Sequence, residues 1–203
     1  MSSTKNSDTG KSERPDQAQQ RQLLNMAVAA IHYGLEHHDI MPVSLDDYDG
    51  LLLKHRATFV TLKINNTLRG CIGTLTAQQP LIKDVVNNAY QAAFHDPRFE
   101  PLYPQELEQL HITISILSPP ESMHVTSEQD LIDQLRPGQD GLIIEDDGHR
   151  ATFLPSVWEQ LPDPATFLQH LKHKAGVPAD YWSDTINVER YGSIEFEEIV
   201  AKL

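Results

Sequence analysis

Phe59-Val60-Thr61-Leu62-Lys63-Ile64-Asn65-Asn66-Thr67-Leu68-Arg69-Gly70-Cys71-Ile72-Gly73 is the stretch on which the fold of this 203-residue chain turns. Val60, Leu62 and Ile64 alternate with Thr61 and Lys63, the period of a strand with one buried face. Asn65-Asn66 tolerates positive φ and suits a hairpin turn. The return strand is then expected from Thr67 to Leu75. Two glycines inside a strand mark a bulge or a close approach by backbone or ligand. If that strand is regular, Arg69, Cys71 and Gly73 share one face. The guanidinium then lies beside the thiol, where a cation favours the thiolate. One reading is a reactive or ligand-contacting cysteine. The other is a small thiol packed in a tight strand, since cysteine is among the most buried residue types.

Outward from the hairpin, helices and strands are interspersed. Leu23, Leu24, Ala27, Val28, Ile31 and Leu35 fall at helical spacing from Gln17 to about Glu36. Pro80 opens a second helix that stops before Asp96-Pro97, because a residue preceding proline avoids the helical region. A short helix is expected over Pro104 to Leu110. Strands are expected at His111 to Leu117, Thr185 to Tyr191 and Ile194 to Ile199. Ser127 caps a short helix to Leu135, and Asp163 with Pro164 opens another that Gly176 ends. A hairpin is expected around Asp146-Asp147-Gly148. The pattern is α+β. His-Arg-Ala-Thr-Phe occurs twice, at positions 55–59 and 149–153, after Asp-Gly-Leu at 49–51 and 140–142. That echo suggests a duplicated β-rich unit, with repeats near 49–117 and 140–199.

Residues 1–16 read as a disordered polar tail before a domain over 17–203. Gly10-Lys11-Ser12 looks like the end of a phosphate loop, but Lys5 stands where that motif needs glycine. Lys+Arg 16 against Asp+Glu 29 leaves a net charge of −13, which repels duplexes and anionic membranes. No apolar run approaches the ~18 residues of a membrane span. The N-terminus has no apolar h-region of a secretory signal, and a single cysteine, Cys71, allows no intrachain disulfide. A cytoplasmic protein is expected.

The second chemical candidate is His95-Asp96-Pro97-Arg98-Phe99, in a proline-fixed loop just past a helix. Cys71, His95 and Asp96 have the types of a nucleophile, base and orienter. Alternatively, Asp96 takes backbone hydrogen bonds in a turn and Arg98 pairs with an acid. His170 with His173, and His37-His38-Asp39, lack the third and fourth ligands of a metal site, so no metal and no cofactor is expected. Ser156 lacks a G-x-S-x-G elbow.

Several strings together resemble the AMMECR-type domain family. They are Phe59-Val60-Thr61-Leu62, Leu68-Arg69-Gly70-Cys71-Ile72-Gly73, Ala92-Ala93-Phe94-His95-Asp96-Pro97-Arg98-Phe99 and Ile114-Ser115-Ile116-Leu117-Ser118-Pro119-Pro120. They continue with Asp140-Gly141-Leu142, Phe153-Leu154-Pro155-Ser156-Val157-Trp158, and Lys174-Ala175-Gly176 with Tyr181-Trp182. The resemblance covers about residue 20 to the C-terminus, and the Leu-Arg-Gly-Cys-Ile-Gly string is the family hallmark. It implies two β-rich, helix-containing repeats sharing one barrel-like sheet, with a cleft between a larger and a smaller part that holds the hallmark strand. It also implies an accessory component acting with a Memo-like protein and a radical SAM protein. On that reading Arg69, Gly70, Cys71 and Gly73 line a surface for those partners or a small molecule, with Asp96 and Arg98 nearby. The rival is a thiol enzyme with Cys71 as nucleophile, Arg69 as thiolate stabiliser or anion clamp, and His95 or His111 as base.

Overall fold

The computed structural model describes residues 14–202, which form two compact units. The first runs to Ile116 and resumes at Glu195; the second spans Leu117–Ile194. Positions 1–13, including Gly10-Lys11-Ser12, lie outside the described residues. Helix α1 (Gln17–His37) begins at the expected residue, with its cap one position earlier. Asp16 is that N-cap, accepting from Gln19 N at 2.8 Å while the Gln19 side chain accepts from Asp16 N at 3.1 Å. This reciprocal box fixes where the helix starts.

In the first unit, strand β1 (Thr58–Ile64) pairs antiparallel with β2 (Thr67–Gly73) through Asn65 and Asn66, at φ 50° and 61° as expected for a tight hairpin turn. On its other side β1 pairs antiparallel with β3 (Leu110–Leu117), and β8 (Ser193–Ile199) lies beyond β3. Val60, Leu62, Ile112 and Ile114 are all fully buried on one sheet face; helix α2 (Leu81–Phe94) packs on that sheet, and α1 packs on α2 within the same core. Each such side chain contributes about 1.5–3 kcal/mol on burial. Asp84 of α2 locks the helix to the start of β1. Its carboxylate accepts from Thr58 N (2.9 Å), Thr58 Oγ1 (2.7 Å), Asn88 Nδ2 (3.0 Å) and Gln79 Nε2 (3.1 Å). Burial pushes the Asp84 carboxyl up, and the hydrogen bonds from Thr58 and Gln79 oppose the shift.

The second unit carries β4 (Glu121–Ser122), α3 (Glu128–Gln134), β5 (Gly141–Asp146), β6 (His149–Phe153), α4 (Pro164–Ala175) and β7 (Asn187–Tyr191). Its strands form an antiparallel sheet in the order β4-β7-β5-β6. Ser127 and Asp163 cap α3 and α4 as expected. Trp158 stacks on Phe167 with centroids 3.8 Å apart and donates its indole N–H to Asp140 O at 2.7 Å.

The α+β class holds. The single barrel-like sheet is replaced by two separate open four-stranded sheets. The sequence echo is not one repeated element either. Gly50–Leu53 forms a short 3-10 helix, whereas the matching Gly141–Ile144 lies in β5. Thr58-Phe59 opens the sandwiched strand β1, and Thr152-Phe153 closes the edge strand β6. Identical pentapeptides have been taken up by different tertiary partners, because strand pairing depends on neighbours more than on local residues.

Candidate functional site

Strand β2 is an edge strand, and its backbone does not run regularly. Leu62 opposes Gly70 while Lys63 opposes Leu68, so Arg69 is an extra residue in a bulge. The bulge breaks the expected row of Arg69 and Cys71 on one face. Arg69 instead makes a fork onto Glu106, with Nε to Oε1 at 2.7 Å and Nη2 to Oε2 at 2.9 Å. Its remaining donors reach the carbonyls of Glu100 (2.9 Å) and Pro101 (3.2 Å). The pair holds the Glu106 carboxyl below its ordinary range, and Glu106 raises Arg69. Arg69 therefore ties the loop before the 3-10 helix Pro104–Gln109 to the bulge, rather than serving the thiol. Glu106 was not singled out from sequence; its one signal was a carboxylate three residues past Tyr103, whose N–H it also accepts at 2.8 Å.

The hallmark glycines are packing residues. A Cβ at Gly70 would overlap the backbone carbonyl of Ala92, so glycine lets α2 lie directly on β2. A Cβ at Gly73 would overlap the Phe59 ring and the Thr58 carbonyl. Both spaces are filled by the protein itself.

Close packing of α2 brings its C-terminal loop to the strand edge. Asp96, whose side chain is only 2% exposed, accepts from Cys71 N through Oδ2 at 2.8 Å. Arg98 grips the same carboxylate with its backbone N (3.1 Å), Nε (2.9 Å) and Nη2 (2.6 Å). Arg98 Nη2 also donates to Cys71 O at 3.2 Å. Carboxylate and guanidinium together give Cys71 the acceptor and donor that a neighbouring strand would supply. The Arg98 guanidinium, followed by the backbone N–H groups of Cys71 and Arg98, holds the Asp96 carboxyl far below the usual carboxylate range against the opposing effect of burial. Asp96 thus meets Cys71 at its backbone, while the Arg98 guanidinium lies beside both the Cys71 carbonyl and its side chain.

The Cys71 side chain is half-buried and accepts a hydrogen bond from Thr61 Oγ1 at 3.3 Å. Register puts Cys71, Thr61 and Thr113 side by side across β2, β1 and β3, and Thr113 Oγ1 donates to Glu197 Oε2 of β8 at 3.1 Å. Ser115 Oγ donates to Glu195 Oε1 at 3.1 Å in the next row. Apart from Phe59, this outer sheet face is largely polar, where the inner face is aliphatic. Thr61, Thr113 and Glu197 were not singled out as site residues; their signal is their odd-register alternation with Val60, Leu62, Ile112, Ile114 and Phe196. His95 is exposed and has Nε2 3.3 Å from the Tyr90 hydroxyl. His111 has Nε2 3.7 Å from Glu197 Oε2. Among the described residues, no three of His, Cys, Asp and Glu are grouped to hold a metal ion. No helix among them is long and apolar enough to cross a membrane.

The AMMECR1 family model matches residues 24–196. The chain belongs to the AMMECR1 family. It is 37% identical to a protein of Methanothermobacter thermautotrophicus over 155 residues, covering 75% of this chain and 81% of that one. A Methanocaldococcus jannaschii protein is 34% identical over 161 residues, 77% and 80% of the two chains. A crystal structure of an uncharacterised Pyrococcus horikoshii protein has the same fold, with TM-score 0.77, 32% identity, and 87% and 90% of the two chains covered.

Proposed function

We propose that this chain is a cytoplasmic ligand- or partner-binding accessory component that acts with a Memo-like protein and a radical SAM protein. Recognition uses the outer face of the first sheet, where Cys71 stands beside Thr61, Thr113 and Glu197. One observation supports this reading: Arg69 and Asp96 are turned to building the β2 edge, which leaves the Cys71 side chain, with the Arg98 guanidinium beside it, on a largely polar sheet face. Such a face offers a hydroxyl row and carboxylates as positioned hydrogen-bonding groups for a partner. The thiol-enzyme alternative has less support, because a base must reach the nucleophile directly or through one water. The two histidines considered for that role have other neighbours, Tyr90 and Glu197.

The test is the affinity of the full chain for the purified Memo-like protein, compared with Thr61→Arg and Thr113→Arg. Both substitutions put a bulky cation on the outer face and leave the aliphatic face untouched. Each should weaken binding at least about tenfold, the cost of one misplaced charge in an interface, while leaving the circular dichroism spectrum unchanged. Wild-type affinity in both folded variants would refute this face as the recognition surface.

A further inference from the structure

A groove of about 320 Å³ lies in the first unit between the segment after α1 and the start of α2. It sits among residues that the recognition face does not use. Met41, Val43 and Val86 give it an apolar floor, and all three belong to or pack against the core. Gln79, Lys83 and Asn87 give it a polar wall. Lys83 and Asn87 stand at i and i+4 of α2, on one helix face. Gln79 is held in place through its Nε2 bond to Asp84. The Lys83 side chain is half-buried, and its ammonium pairs with no carboxylate among the described residues.

We propose that this groove binds a small organic monocarboxylate with a short apolar body, its carboxylate on Lys83 and its body on Met41, Val43 and Val86. A chain of net charge −13 has little general attraction for anions, so a lone lysine in a concave site selects locally. One ammonium flanked by amides matches one negative charge. A phosphate dianion favours an arginine fork or several cations, which the groove does not offer. The volume is at the small end of ligand sites and accommodates an acid of about six to ten non-hydrogen atoms. The inference stands independently of the proposed recognition face.

The experiment titrates the full ¹⁵N-labelled chain with hexanoate, hexanamide and inorganic phosphate, following backbone amide shifts. Hexanoate should give saturable shifts at Met41, Val43, Gln79, Lys83 and Asn87, with a Kd on the order of millimolar. Hexanamide has the same body without the charge and should bind at least about fivefold more weakly, and phosphate should not saturate. Lys83→Gln should cost about tenfold in hexanoate affinity, with the rest of the spectrum superposing. Equal binding of hexanoate and hexanamide would overturn the proposal, as would saturable shifts elsewhere but not here. The comparison of acid with amide holds whether or not the variant folds.

Discussion

Replacing Asp96 with asparagine probes the clamp that the hallmark region builds. The carboxylate accepts four N–H groups: one from Cys71, and the backbone, Nε and Nη2 of Arg98. Asparagine keeps one acceptor oxygen and turns an NH₂ group toward two of those donors. Hydrogen bonds to a charged group contribute about 1.5–3 kcal/mol each, but they are not additive. The Arg98 side chain is 53% exposed, so its share is offset by water it regains on release. A net cost of about 3 kcal/mol at pH 7 is expected for breaking a pair with one buried partner. In a chain of this size that lowers Tm by about 6–12 °C. The sign with pH follows from the depressed native pKa. The carboxylate contributes fully above its unfolded value of about 3.9 and loses that contribution as pH falls toward its lower native value. The gap in Tm between wild type and Asp96→Asn, measured by scanning calorimetry, should be constant from pH 7 to about pH 5 and shrink steadily below it. A gap under 1 °C at pH 7, or one that does not narrow by pH 3, would refute the clamp.

Two further outcomes follow from the same geometry. Gly70→Ala drives a methyl into the Ala92 carbonyl, a backbone atom that cannot turn aside, and should cost about 1–3 kcal/mol by denaturant titration; a neutral result would mean α2 does not pack on β2 as described. Arg69→Lys keeps the charge but not the fork onto Glu106, and should lose about 1–2 kcal/mol, with Glu106→Gln adding little in the Arg69→Lys background; full additivity would count against the pair.

Much of the fold could be read directly. The Asn65-Asn66 turn, the caps at Ser127 and Asp163, and the stop before Pro97 are local chemistry, and local chemistry is what residue patterns encode. The 3-10 helix at Gly50–Leu53 was missed because its leucines look like the strand of the second echo. The two glycines signal a bulge or a close backbone approach, and both occur, but regular alternation, which assumes that each residue has an opposite number, places Arg69 beside Cys71. That one inserted residue moved the guanidinium from the thiol to Glu106 and changed the chemistry of the candidate site. The meeting of Asp96 with Cys71 was suspected, but its form, a carboxylate on the strand backbone, depends on how closely α2 approaches β2. The Thr113–Glu197 contact joins residues 84 positions apart, which no local pattern reveals.

The proposed recognition face is probed most directly at Cys71. Because the chain has one cysteine, a single iodoacetamide adduct read by intact mass reports that position alone. The rate should be measurable on the native chain, where Cys71 is half-buried, and should fall at least about fivefold when the Memo-like protein is present at saturation. A rate unchanged by the bound partner would contradict the assignment of this face to recognition.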